Sequence, residues 1–548
     1  MVYSNIYFGG IELKKVRTKL SLIVSAAFTL SFIGILPPQL MAKTSDIPVV
    51  ETKYKTASDN AYTWLKTQQD SAKLDGTGLP SGMVDSFEDY WGPNLPKQIS
   101  YTYDQGVAAI AFLLKGDTNR TKNVLTLMSK IQGSDGSWCN SYWNNNLSGQ
   151  ELIKNVGPGM WICLAVMNYE KITGDTSFHS MATKYIDWAL QFQKPNGGIS
   201  GGQTYASGVW QPVTWSGTEE NIDAYAALKY FSSTTPDKSS VYESAQNRVK
   251  SFLDNIEWDN TNNRFHGGFK NDTQTVDPYV PLDVNPWGVM ALSGASNPHN
   301  YASSLAYIEN AKGNASGVGT LSNPKYVETL TAADNGKTMT LYDFDWESDN
   351  VPYSSDASMG LKGPDIWFEG SAFMSCAYYM QGNTSKADSI IDDIMKKQST
   401  SSGESLGGIP YSLMGTNNNY WHMAQENCVS STGWFIIASS RWNPFTGEYL
   451  NSAIPTPTPT PVDTSYGVTK TGDNSAVIWF SPSPSAAWAD VHYVVNSQNQ
   501  LNYRMTYNSI QNRWEQNVTG LKAGDTIKYS FTYWQTAATD SPSYNYTF

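Results

Sequence analysis

The sequence predicts two folds in one chain: an array of helical hairpins over most of its length, then a small all-β sandwich. Three patterns predict this. Apolar residues recur at helical spacing in about twelve segments between Val50 and Asn443. The connections between those segments alternate strictly, short turn then long Gly- and Trp-rich loop. Beyond Leu450 the run Ile454-Pro455-Thr456-Pro457-Thr458-Pro459-Thr460-Pro461 has no core-forming residues, and short alternating segments follow it. At 548 residues the chain is too long for one ordinary core.

The elements in order begin with a leader. Lys14, Lys15, Arg17 and Lys19 precede an apolar run from Leu20 to Leu36, then Pro37-Pro38 and Ala42. Residues 1–42 therefore read as a secretory signal, too short in its apolar run for a span, and the mature protein is expected outside the cell with no membrane partner. The first helix is expected over Val50–Lys66, with Ala57, Ala61, Trp64 and Leu65 on one face. Helices follow at Val107–Leu114, after Tyr103-Asp104-Gln105, and at Thr121–Ile131. Trp161 opens the fourth, Phe178–Phe192 is the fifth, Thr218 opens the sixth and Val241–Ile256 is the seventh. Trp287 opens the eighth, Tyr301–Ala311 is the ninth, Glu369 opens the tenth, Ala387–Lys397 is the eleventh and Gln425-Glu426-Asn427-Cys428 starts the twelfth. The similar turns Gly116-Asp117-Thr118, Gly174-Asp175-Thr176 and Gly382-Asn383-Thr384 mark an internal repeat of helical hairpins. A solenoid and a closed ring both satisfy it. In a ring every second helix is inside, and all the long loops share one face, where a rigid scaffold would hold function.

The helix starts after long loops are acidic: Asp104, Glu219, Glu220, Asp283, Glu369 and Glu426. One reading is local, since carboxylates favour the positive end of a helix and Thr218 is a capping residue. The other is chemical, since paired carboxyl groups are what general acid–base catalysis uses. On that reading the leading pair is Glu369 with one of Glu219 and Glu220, and Asp104 is the third choice. Glu369 sits among Trp367, Phe368 and Gly370, where partial burial raises a carboxyl pKa toward that of a general acid. Glu219 and Glu220 are adjacent, yet consecutive helical positions point in different directions.

Composition narrows the ligand. The net charge is −12, which argues against nucleic acid and anionic membranes. Aromatics are 13% of residues and charged residues only 16%, a balance suited to stacking on neutral hydroxyl-rich ligands. Trp138, Trp215 and Trp367 are read as sugar platforms rather than core anchors. Cys139, Cys163, Cys376 and Cys428 are scattered, without metal-ligand or redox spacing, so free thiols are expected. Asp343-x-Asp345-x-Glu347 lacks the rest of a calcium loop and reads as a solvated or hydrogen-bonding loop. No nucleotide, zinc or serine-nucleophile motif stands in a supporting context, and no cofactor or metal is expected.

After the spacer at 452–463, residues 464–548 hold five strand patterns: Ser475–Phe480, Asp490–Val495, Leu501–Tyr507, Arg513–Val518 and Thr526–Tyr533. These predict the sandwich, with Trp488, His492, Trp514 and Trp534 as a ligand face and Trp479 in the core.

Two resemblances follow from these residues. The stretches Thr218-Glu219-Glu220-Asn221-Ile222-Asp223-Ala224-Tyr225 and Trp367-Phe368-Glu369-Gly370-Ser371-Ala372, with Ser431-Thr432-Gly433-Trp434 near Asn443-Pro444-Phe445, make residues 46–448 resemble secreted bacterial six-hairpin glycosidases. That resemblance implies an (α/α)6 toroid and glycoside hydrolysis by a pair of carboxyls. Val491-His492-Tyr493 and Ile527-Lys528-Tyr529-Ser530-Phe531-Thr532-Tyr533 resemble family 56 carbohydrate-binding modules, which implies a β-1,3-glucan ligand. Together they imply a polysaccharide-degrading enzyme acting on a β-glucan; a monomer is expected. A polysaccharide lyase on the same toroid and a non-catalytic glucan-binding protein are the alternatives.

Overall fold

The computed structural model describes residues 52–88, 99–271, 275–277, 279–294, 298–310, 325–346, 363–400, 405–416, 418, 422–450, 465–482, 486–496, 498–508, 513–534 and 538–548. The expected signal at 1–42, the spacer at 452–463 and Glu347 lie outside the described residues.

Twelve α-helices are present among the described residues: α1 (Lys55–Ser71), α2 (Thr102–Leu114), α3 (Thr118–Ile131), α4 (Val156–Thr173), α5 (His179–Ala189) and α6 (Thr218–Thr234), followed by α7 (Ser239–Phe252), α8 (Val284–Leu292), α9 (Ser303–Asn310), α10 (Phe368–Met380), α11 (Thr384–Met395) and α12 (Val429–Ser439). Two kinds of sequence separate them. In α11 only Ala387, Ile390, Ile391 and Ile394 are buried, one stripe at helical spacing, so the helix covers a core from outside. In α2 every residue from Asp104 to Leu114 is buried, so the helix is surrounded by protein. The helices α4, α8, α10 and α12 are likewise buried on nearly all sides.

These enclosed helices pack in a cycle: α2 on α4, α4 on α6, α6 on α8, α8 on α10, α10 on α12, and α12 back on α2. Each carries one outer helix, α3 on α2, α5 on α4, α7 on α6, α9 on α8, α11 on α10 and α1 on α12. Every outer helix returns the chain, so the enclosed helices all begin at the same end. One close crossing is set by a glycine. A Cβ on Gly106 would stand 2.7 Å from the Trp161 carbonyl oxygen, so α2 and α4 approach there only because no side chain intervenes.

The long loops at that end contain β structure that the helical periodicity did not show. Strands β1 (Ile153–Asn155), β2 (Gly202–Ala206) and β3 (Val209–Pro212) form one antiparallel sheet, and β4 (Val327–Thr331) pairs with β5 (Thr338–Tyr342). The helical region is therefore mainly, not strictly, α: its long loops carry short antiparallel sheets. The acidic loop is held by hydrogen bonds. Asp343 accepts from the Asp365 N–H at 2.7 Å, and Asp365 accepts from the N–H groups of Leu413, Met414 and Thr416 at 2.7–3.0 Å. Thr218 is not the cap of α6. Gly217 occupies that position, while the Thr218 hydroxyl donates to the His266 carbonyl at 2.6 Å and ties the helix start to the next loop.

The C-terminal strands are β6 (Ser465–Gly472), β7 (Ser475–Ser481), β8 (Trp488–Val495), β9 (Leu501–Arg504), β10 (Thr506–Asn508), β11 (Arg513–Thr519), β12 (Thr526–Trp534), β13 (Ala538–Asp540) and β14 (Tyr544–Thr547). They form two antiparallel sheets, β6-β7-β11-β10 and β9-β8-β12-β13, with β14 also paired to β12. Ala476, Ile478, Phe480, Val491, Ile527 and Phe531 fill the space between, and the Phe480 and Phe531 rings stack at 4.2 Å. The expected strand Leu501–Tyr507 divides at Met505. Its first half pairs with β8 and its second with β11, while the buried Met505 turns the corner between sheets.

Candidate functional site

The starts of the enclosed helices converge on a cavity of about 440 Å³. Asp104 comes from α2, Glu219 and Glu220 from α6, Asp283 from the cap of α8, and Glu369 from α10. All four residues that the sequence nominated for catalysis are thus brought together, with Asp283 between α6 and α10. Glu426 is not among the cavity-lining residues; its carbonyl accepts from the Tyr411 N–H. The walls add Glu151 and the rings of Phe87, Tyr101, Tyr103, Trp287, Phe344, Trp367, Phe373, Tyr411 and His422. No Lys or Arg appears among the described residues that line it.

An aromatic cluster supports this floor. Trp161 packs at 5.2 Å from Tyr103, 5.2 Å from Trp287 and 5.4 Å from Trp434, and Phe373 lies 4.5 Å from Trp434. Trp161 and Trp434 are fully buried behind the lining rings. The cluster fixes Tyr103, whose hydroxyl donates to Glu369 Oε1 and accepts the Trp434 indole N–H at 2.8 Å. Glu151 is held similarly by Asn140, which donates to its Oε2 at 2.5 Å.

Packing acids against rings raises their pKa values, because a desolvated carboxyl favours its neutral form. Burial pushes Glu369 up to about 8, with the Tyr103 bond offsetting part of the rise and Asp104 adding to it. Burial lifts Asp104, Glu220 and Asp283 each to about 7. Glu219 stands well above the usual range, raised by burial and then by the charges of Asp283, Glu220, Asp223 and Glu369. Near neutral pH the cluster therefore holds protons and charges together, and its members titrate as a set.

Both Glu219 and Glu220 reach the cavity, but their surroundings differ. The Glu220 carboxylate curls back over Gly217; a Cβ on Gly217 would stand 1.8 Å from Glu220 Oε2. This resembles an acid closing its own helix start. Glu219 has no such local partner. The charge of Asp283 acts on Glu219, and Glu220 acts on Asp283, relationships that neighbouring sequence positions do not reveal because Asp283 comes from a different hairpin.

The aromatic nominations divide. Trp367 lines the cavity. Trp138 is a core anchor and not a platform: it is 2% exposed, stacks on Tyr185 at 4.9 Å, and donates its indole N–H to the Met128 carbonyl. Trp215 is not among the lining residues, and its ring lies where a Cβ on Gly201 would stand. Sequence reasoning missed Tyr103, Tyr101, Tyr411 and His422 as lining groups. The signal available was Tyr103 directly before Asp104 at a helix start.

In the β module, Trp488 and Trp534 are cross-strand partners with rings 6.3 Å apart, and Trp534 is 42% exposed. Arg504 lies 4.2 Å from the Trp488 ring and pairs with Asp490. On the same face of β8 is His492, hydrogen-bonded to Asn502 at 2.6 Å and to Thr532 at 2.8 Å. Trp514 belongs to the other sheet, opposite the buried Phe480, so alternation turns it inward and removes it from this face. Trp479 is not in the core. It faces outward on β7, lying over Gly467, with its indole N–H on the Thr469 hydroxyl at 3.1 Å.

Residues 466–541 match the family model for carbohydrate binding module family 56. A solved family 56 β-1,3-glucan binding domain is 36% identical over 15% of this chain and 95% of that domain, with a TM-score of 0.14. The C-terminal module belongs to family 56. The face just described is thus that of a carbohydrate-binding module. Over the helical region the chain is similar to solved enzymes of different activity. A novel alpha-amylase from Clostridium perfringens is 9% identical, with 70% of this chain and 97% of that one covered and a TM-score of 0.45. A D-mannose isomerase is 13% identical, covers the same shares, and has a TM-score of 0.47.

Proposed function

We propose that the chain is a secreted glycoside hydrolase acting on a neutral polysaccharide, with a β-glucan as substrate and β-1,3-glucan as the ligand of its family 56 module. The helical region is read as an (α/α)6 toroid of six hairpins whose loop face carries the active site. The observation that carries the reading is the convergence of five helix-start carboxyls in one ring-lined cavity with no lining Lys or Arg.

Glycoside hydrolysis needs a proton donor for the leaving oxygen and a carboxylate for the cationic sugar carbon. Glu369, pushed up to about 8 and oriented by Tyr103, supplies the proton near neutral pH. The Glu219–Asp283 pair shares charge, and its ionised member stabilises the oxocarbenium-like centre and serves as base or nucleophile. Aromatic walls stack on sugar faces. An acidic cavity suits developing positive charge and disfavours polyuronates, which weighs against a lyase.

The test is Glu369→Gln in the full chain. Release of reducing sugar from laminarin and other β-glucans should fall at least about 100-fold with the fold retained. Retained hydrolysis removes Glu369 from the role. Products absorbing in the ultraviolet would replace the hydrolase by a lyase, and absence of products across a glycan panel would leave a binding protein.

A further inference from the structure

Below the cavity floor lies an acid that the mechanism above does not use. Asp223 is on α6, one turn beyond Glu219, and is fully buried. No hydrogen bond of normal geometry reaches either carboxyl oxygen among the described residues, although the Trp161 indole N–H, itself unpaired there, faces them and lowers the Asp223 pKa somewhat. Spacings of three and four residues put Asp223 on the same helix face as Glu220 and Glu219. Asp223 and Glu220 both face the same gap in α4. The point where a Cβ on Gly157 would stand is 3.3 Å from Asp223 Oδ2 and 2.9 Å from Glu220 Cγ.

The groups facing Asp223 leave it one chemical choice. From α6 they are Glu219 and Glu220, and from the start of α8 Asp283. From α4 come Gly157 and the Trp161 indole, and from α5 the Tyr185 hydroxyl, which already donates to the carbonyls of Asn155 and Val156 at 2.9 Å. No cation faces it among these groups. A charged carboxylate in that position would be buried with only a neutral indole donor against it and no cation, whereas a neutral acid has a proton to offer the acids above it.

We infer that Asp223 is a positioning residue, held as a neutral acid beneath Glu219 and Glu220, whose proton steadies the charged form of the carboxyls on the cavity side. The inference rests on the hydrolase reading for its kinetic consequence. Burial and the charges of Glu220 and Asp283 raise the Asp223 pKa well above the usual range, in keeping with that placement.

Asp223→Asn keeps the shape and a donor, and Asp223→Ala removes both. Hydrogen bonding to a carboxylate lowers its pKa, so losing the donor moves the acid limb of the kcat/KM–pH profile upward. Asp223→Asn should keep activity within about threefold with the limb unmoved. Asp223→Ala should lose about tenfold or more and shift the limb to higher pH. Equal losses in both variants, or wild-type behaviour in Asp223→Ala, would overturn the inference. A second readout does not need activity. The stability of Asp223→Asn to thermal unfolding should exceed that of wild type at pH 8 and converge with it only below about pH 4, the unfolded pKa of an aspartate. Lower stability of Asp223→Asn throughout pH 6–9 would show an ionised Asp223 and sink the idea, whatever the fate of the hydrolase reading.

Discussion

The Tyr103 hydroxyl donates to Glu369 Oε1 across the cavity, joining the first turn of α2 to the first turn of α10. The same oxygen accepts the indole N–H of Trp434 on α12, so three enclosed helices meet at one phenol. That bond orients Glu369 and also holds its pKa below the value that burial alone would give.

Tyr103→Phe isolates this link because the ring still fills its place against Trp161 and Trp287. Removing a donor to the carboxylate raises the Glu369 pKa. A general acid works while protonated, so the basic limb of the kcat–pH profile should move to higher pH. Lost orientation should lower kcat about tenfold at the optimum. An unchanged limb with unchanged kcat would mean that Glu369 is not the titrating acid.

Gly217→Ala separates the two adjacent glutamates. Gly217 has φ −87°, ψ 147°, which alanine adopts freely, so the backbone tolerates the change. The added Cβ instead collides with Glu220 Oε2 and displaces that carboxylate. With the base assigned to the Glu219–Asp283 pair, Gly217→Ala should keep kcat/KM within about threefold, whereas Glu219→Gln should lose about 100-fold. The reverse order would transfer the role to Glu220.

Much of this arrangement is legible in sequence because helix period and loop alternation are local signals. The stripe on α11 and the all-round apolar α2 are visible without coordinates. Acidic helix starts are equally visible, and the cavity gathers Asp104, Glu219, Glu220, Asp283 and Glu369 from them. What sequence does not contain is contact across hairpins. The charge of Asp283 on Glu219, and the Tyr103 bond to Glu369, join residues 64 and 266 positions apart in the chain. Trp138 shows the same limit. A loop tryptophan reads alike as platform or anchor until its indole N–H is seen on Met128. In the module, alternation correctly ordered β7 and β12, but the direction of Trp479 and Trp514 depended on which sheet face was covered.

Two tryptophan substitutions should separate binding from folding. Trp534→Ala removes an exposed ring from the module face and should weaken binding to insoluble β-1,3-glucan about tenfold, leaving the unfolding temperature near that of wild type. Trp138→Ala opens a hole beneath Tyr185 and should destabilise the helical region by about 3–5 kcal/mol without altering glucan retention. Pull-down on curdlan and thermal melts of both variants read the two effects. Loss of glucan binding in Trp138→Ala at a temperature where it remains folded would return that residue to the list of platforms.

Glu257 gives the strongest stability prediction outside the cavity. It follows α7, is fully buried, and has neither carboxyl oxygen paired among the described residues. Burial pushes its pKa up to about 8, with Glu220 adding to the rise, against about 4.5 in the unfolded chain. Between those two values the folded state binds the extra proton. Stability from this residue is therefore intact below about pH 4.5 and is lost progressively as pH climbs toward 8. Glutamine occupies the same space and does not titrate. Glu257→Gln should accordingly match wild type near pH 5 and exceed it at pH 8.5 by on the order of 1–3 kcal/mol. Denaturant unfolding at the two pH values measures the difference directly. A wild-type chain more stable than Glu257→Gln at pH 8.5 would mean that the carboxylate is ionised in the folded state and compensated by a charge not seen around it.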